Sequence, residues 1–159
     1  MDTSTMTHYM QLLATNQPWN LIMFMAIPVI FAETLTITEF IVIFNNLTGG
    51  LVRKLNKFCG IFAGIYFAGV FLYLVTQVIP TIEWRGAVDF LAVWFYLSGV
   101  IFLGGISLLE LGLIGKNKTE QEKRKLHFVL VSGFLVVAHI AMILGMVNPQ
   151  IFSQGVMHM

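Results

Sequence analysis

Residues 22–39 read Ile22-Met-Phe-Met-Ala-Ile-Pro-Val-Ile-Phe-Ala-Glu33-Thr-Leu-Thr-Ile-Thr-Glu39, two carboxylates in a run that is otherwise apolar. Extended to its polar limits, about Trp19 to Asn45, the run exceeds the ~20 residues a helix needs to cross ~30 Å of hydrocarbon. Three more runs of this kind follow, at about 58–80, 87–114 and 126–147. The composition agrees: 57% hydrophobic and 11% charged residues, with a mean hydropathy of +0.83, lie far from the balance of a water-soluble domain. The expectation is all-α: one polytopic membrane domain over residues 1–159, a four-helix bundle running up-down-up-down.

The basic residues orient it. Arg53, Lys54 and Lys57 fall between the first two runs, and Lys116, Lys118, Lys123, Arg124 and Lys125 between the last two. Short Lys/Arg-rich loops stay cytoplasmic, so both termini are expected on the outer side. The polar N-terminus has no basic flank and cleavage site, so the first helix is expected to be retained. The place implied is the inner (plasma) membrane of a bacterium, multi-pass. A net charge of +1 without a broad basic surface argues against nucleic acid as a partner. The single cysteine, Cys59, excludes disulfides and cysteine-based metal sites and reads as packing.

Punctuation is ordinary. Asn16 before Pro18 suits a cap, Gly49-Gly50 ends the first hairpin, and Pro80 and Pro149 close helices. Gly60, Gly64 and Ala68 recur every four residues, as do Ala141 and Gly145, which permits close helix approach. The Gly60/Gly64 face makes a homodimer reasonable.

Polar residues inside the runs are more informative, because each costs ~2.5–3.5 kcal/mol at a helix centre and such residues usually mark function. They are Glu33, Glu39, Asp89, Glu110 and His139, with His127 nearer an end, and no Lys or Arg lies inside to pair with the four acids. By depth, Asp89 is near the outer surface, Glu33 and His139 near the middle, and Glu39 and Glu110 toward the cytoplasm. More than one site follows. Glu110 and His127 are expected to snorkel to the interface. For Glu33 and His139 a mutual contact across the bundle and a ligand role stand equally. Six residues apart on one helix, Glu33 and Glu39 are expected to serve different sites, and Glu39 and Glu110 to form a proton or ion path.

Methionine adds a second pattern. His139, Met142 and Met146 share one helix face, and Met23 and Met25 lie at similar depth on the first helix. Thioether and imidazole suit haem iron or Cu(I). Met6, His8, Met10, Met157, His158 and Met159 repeat the pairing at both termini, a weak copper-binding pattern.

Several segments resemble the N-terminal part of the large subunit of cytochrome bd quinol oxidase. They are Lys57-Phe-Cys-Gly60-Ile-Phe-Ala-Gly64-Ile-Tyr-Phe67-Ala68, then Ala87-Val-Asp89-Phe-Leu91-Ala-Val-Trp-Phe95-Tyr-Leu-Ser98, and Asn148-Pro149. The resemblance implies an outward N-terminus and a haem b pocket faced by Met23 and Asp89, where the family has a haem-ligating histidine and a carboxylate. Leu97 replaces the family's second carboxylate, and the quinol-binding loop is absent. The reading is then a small haem-binding membrane protein with a redox, electron-transfer or sensor role, with His139 as first axial ligand, Met23 as second, and Asp89, Glu33 and Met142 beside them. The alternatives are a small permease or copper- or cation-handling protein using the intramembrane carboxylates, and an accessory subunit of a larger membrane complex.

Overall fold

Gly50 takes φ +96°, a conformation that side-chain-bearing residues rarely adopt, and the chain turns there directly into a helix. The computed structural model describes residues 6–47 and 49–149. A short helix α1 (His8–Ala14) precedes four long ones: α2 (Trp19–Phe44), α3 (Leu51–Thr81), α4 (Ala87–Glu110) and α5 (Glu120–Met146). Each long helix is apolar and long enough to cross a membrane.

Compared with the runs predicted from hydropathy, the ends move. α3 begins at Leu51 rather than near 58, so Arg53, Lys54 and Lys57 ride on its first two turns instead of in a loop. α4 stops at Glu110, where Gly112 turns the chain at φ +73°. α5 starts at Glu120 behind a capping box: Glu122 N–H donates to Thr119 Oγ1 (3.3 Å), and Thr119 N–H donates to Glu122 Oε2 (2.8 Å). An apolarity criterion misses such ends because their charged turns are helical but not oily. Asn16 is not a side-chain cap; it sits at φ +51°, and α2 opens from Pro18 without a side-chain cap hydrogen bond.

Successive long helices pack side by side, and α2 closes against α5 along the sparsest seam. The core runs through Leu35, Ala63, Phe67, Ala92, Leu103, Ile106 and Phe134. Apolar side chains such as Ile30, Ile37, Phe44, Phe58 and Ile101 point outward, the pattern of helices whose outer solvent is hydrocarbon.

The small-residue stripes are spent inside the chain. A Cβ at Gly64 would stand 2.4 Å from Ser107 Cβ and 2.5 Å from Leu103 O, and one at Gly60 2.9 Å from Ile106 Cγ2. The Gly60/Gly64 face therefore meets α4 inside the chain. α2 carries one π-helical stretch, Ile22–Ala26. Tyr66 and Tyr96 donate hydroxyl hydrogen bonds to the carbonyls of Met23 (2.8 Å) and Phe24 (2.7 Å) there, tying α3 and α4 to the widened turn.

Candidate functional site

Four helix ends meet where α2 and α4 finish and α3 and α5 begin, and each brings a polar side chain into the interior. Glu39 comes from α2, Arg53 and Asn56 from α3, Glu110 from α4 and His127 from α5. Asn56, fully buried, donates from Nδ2 to Thr38 Oγ1 (2.9 Å) and Glu39 Oε2 (3.2 Å). Arg53, with a side chain 24% exposed, donates through Nη1 to Glu110 Oε1 (3.0 Å) and Asn56 Oδ1 (3.0 Å), and through Nη2 to Glu110 Oε2 (3.4 Å). The guanidinium thus spans from the bundle's edge to the buried acid.

His127 stands between the two carboxylates. Its Nδ1 lies 2.8 Å from Glu39 Oε2 and its Nε2 3.5 Å from Glu110 Oε1, with the imidazole 2% exposed. Neither contact has the alignment of a hydrogen bond, and among the described residues neither nitrogen has another hydrogen-bond partner. The contacts are therefore ionic in character when the ring is protonated. Gly60 gives the ring its place, since a Cβ there would come within 3.7 Å of His127 Nε2 and 3.6 Å of Glu110 Cγ.

This arrangement overturns two expectations. Glu110 and His127 do not snorkel; both are buried, because α3 starts early enough to carry Arg53 and Asn56 over them. And the interior acids do have a cationic partner, Arg53. Its charge counts inside the bundle although its sequence position reads as a loop.

The charge inventory of the set is informative. Two carboxylates, Glu39 and Glu110, face one guanidinium, Arg53, so the group is one positive charge short of neutrality. His127 is the one further side chain in the set able to carry positive charge, and a low-dielectric interior makes each unpaired charge costly.

A second set occupies the opposite end. Asp89, fully buried in the first turn of α4, accepts from His8 N–H at Oδ1 (2.6 Å) and from Arg85 N–H at Oδ2 (3.2 Å), and His8 Nδ1 lies 2.6 Å from Oδ2. Arg85 also donates to Met6 O and Gln11 Oε1. Thr7 caps α1, accepting from Met10 N–H (3.4 Å) while its hydroxyl donates to Gly145 O (2.6 Å) of α5. These contacts clamp α1 onto the end of the bundle. Burial between Tyr96 and Gly145 pushes the Tyr9 phenol up to about 12.

Glu33 and His139 are elsewhere again. Both line a cavity of about 270 Å³ between α2, α4 and α5, together with Met25 and Met142, and both are exposed on its outer flank. His139 Nδ1 is 2.6 Å from Leu135 O, so the ring donates there, and in the neutral tautomer this selects, the lone pair is on Nε2. Glu33 and Glu39 thus sit in different sites.

The residues expected around a haem do not converge. Only His139, Glu33 and Met142 line that cavity. The Met23 side chain is 45% exposed, with its own carbonyl bonded to Tyr66, and Asp89 is taken up by His8 and Arg85.

The terminal metal pattern is divided too. His8 serves Asp89, the Met6 carbonyl serves Arg85, and Met10 packs against the core, while Met157, His158 and Met159 lie outside the described residues. Among the described residues no three His, Cys, Asp or Glu side chains are grouped to hold a metal ion. Sequence reading missed α1 and the roles of Arg53, Asn56, Thr7 and Arg85. The available signals were Thr7 as a cap ahead of Tyr9 and Leu13, one turn apart, and Arg53 and Asn56 at helical spacing.

No curated protein and no solved structure matches the chain. A family model matches residues 4–159, nearly the whole sequence, and the chain belongs to that family, DUF6803, a family of unknown function.

Proposed function

We propose that the protein is a small proton-linked permease of the inner (plasma) membrane, crossing it four times up-down-up-down with both termini outside. The Lys/Arg-rich turns at 51–57 and 116–125 lie on the cytoplasmic side in this reading. One observation supports it: a buried imidazole flanked by carboxylates of two other helices, with no hydrogen-bond partner at either ring nitrogen among the described residues. A proton enters past Arg53, which reaches the bundle's edge, and is held by His127, which can pass it toward Glu39 on α2.

The test is proton uptake by proteoliposomes containing the purified protein, read with an entrapped pH-sensitive dye under an imposed potential. Uptake should depend on the protein and fall at least tenfold in both Glu39→Gln and His127→Gln. Uptake equal to empty liposomes, or unchanged in both variants, rejects the permease.

A haem-binding reading keeps one supporting observation, the lone pair left on His139 Nε2 by the contact with Leu135 O. A Soret band that vanishes in His139→Ala would support it. A colourless preparation after haem-supplemented expression would end it.

A further inference from the structure

The cavity between α2, α4 and α5 has a chemistry of its own. Its inner wall is aromatic: Phe67 packs on Tyr96 (centroids 5.3 Å apart) and edge-on to Phe134 (5.8 Å), and Phe95 and Phe24 extend the surface. Among the described residues its rim carries one carboxylate, Glu33, and no Lys or Arg. The other titratable groups facing it are His139 on α5, Tyr96 on α4 and Tyr9 on α1. It opens along the α2–α5 seam, the sparsest contact between neighbouring long helices, where Glu33 and His139 are both exposed.

A carboxylate at that depth on a hydrocarbon-facing flank is costly as a bare anion. A bound cation offsets that cost. A hydrated inorganic ion would gain little from walls of Phe and Tyr. An organic ammonium gains twice, from the carboxylate and from ring faces that attract cations most strongly when water is excluded. The volume, about 270 Å³, is just below the ~300 Å³ at which ligand pockets usually begin, which fits a compact head group rather than a large ligand.

We propose that this cavity is a binding site for lipophilic organic cations of the alkyl- or benzylammonium class, entering from the bilayer between α2 and α5, with Glu33 as counter-ion. In the bound state the Glu33 carboxylate pairs with the ammonium while the aromatic wall faces its apolar groups. His139 Nε2 offers a second acceptor to an ammonium that carries N–H. The site names the substrate class of the permease, and it rests on that reading for transport but not for binding.

Benzyltrimethylammonium is the probe, and neopentylbenzene, in which carbon replaces the charged nitrogen, is its neutral isostere. Titration calorimetry of the purified protein in neutral detergent reads the affinity of each. The expected result is saturable binding of the cation, weakened about tenfold or more in Glu33→Gln, where the charge-assisted contact is lost. Glu33 has no hydrogen bond to another helix among the described residues, so this variant keeps the fold, and its unchanged thermal unfolding is the control. Equal affinity for cation and isostere, or an unaltered Glu33→Gln, overturns the site. Proton uptake by proteoliposomes separates the two proposals. Cation binding without uptake rejects the permease alone, and uptake without cation binding rejects the cation site alone.

Discussion

The ring of Tyr9 lies where a side chain at Gly145 would begin: a Cβ there would stand 2.6 Å from Tyr9 Cδ1. α1 is therefore seated on α5 through a residue with no side chain, beside the hydrogen bond from Thr7 to the carbonyl of the same glycine. Gly145→Ala should lift α1 and cost ~1–3 kcal/mol by overpacking. Gly104, which has nothing within 4 Å of a built Cβ, is the control, and Gly104→Ala should stabilise by ~0.5–1 kcal/mol. Proteolysis ahead of Trp19 should speed up in the first variant only; equal rates in both would contradict this seating.

Tyr9 also predicts an alkaline limit. Its folded-state phenol is raised from 10.0 to about 12, so the neutral form is favoured on folding. That contribution is complete below pH 10 and is lost as pH rises through about 12. Tyr9→Phe should be less sensitive over that window than the parent, by thermal unfolding at pH 9, 10.5 and 12. Parallel curves would contradict the assignment.

Arg53 and Glu110 make a mutational test of buried charge. Arg53→Leu leaves Glu110 enclosed without its guanidinium and should cost ~3–5 kcal/mol. Removing both, in Arg53→Leu with Glu110→Leu, should cost less than the single change, because no charge is stranded. Unfolding in detergent ranks the two, and a double variant weaker than the single one would refute the inventory.

Asp89→Ala removes the acceptor of two backbone N–H groups and of the His8 ring. The loss should be ~1.5–3 kcal/mol. Amide exchange at residues 8–14 should rise while exchange at the centre of α4 stays slow. Uniform acceleration across the bundle would show that α1 is not a separately clamped element.

The four long helices were legible because burial in hydrocarbon needs one property, apolarity sustained over some twenty residues. Their ends were not, since Arg53 and Asn56 look like loop residues until Gly50 is known to end the turn. Depth counting placed Glu39 and Glu110 toward the same end, and they do flank one histidine. That His127 stands between them depends on which face each helix turns inward, and helices that are apolar all round carry no polar stripe to mark that face. For the same reason Met23, at a position suggested by family likeness, could be assigned a depth but not a direction.

Glu39 also sets a timetable for synthesis. Its first partner, Asn56, follows 17 residues later on the next helix, but His127 follows roughly ninety residues later on the last one. At ~5–20 residues per second, α2 waits on the order of 5–20 s before the imidazole is made. Until then Glu39 depends on the early hairpin of α2 and α3, so that hairpin must be held together at the site of insertion before the rest of the chain exists.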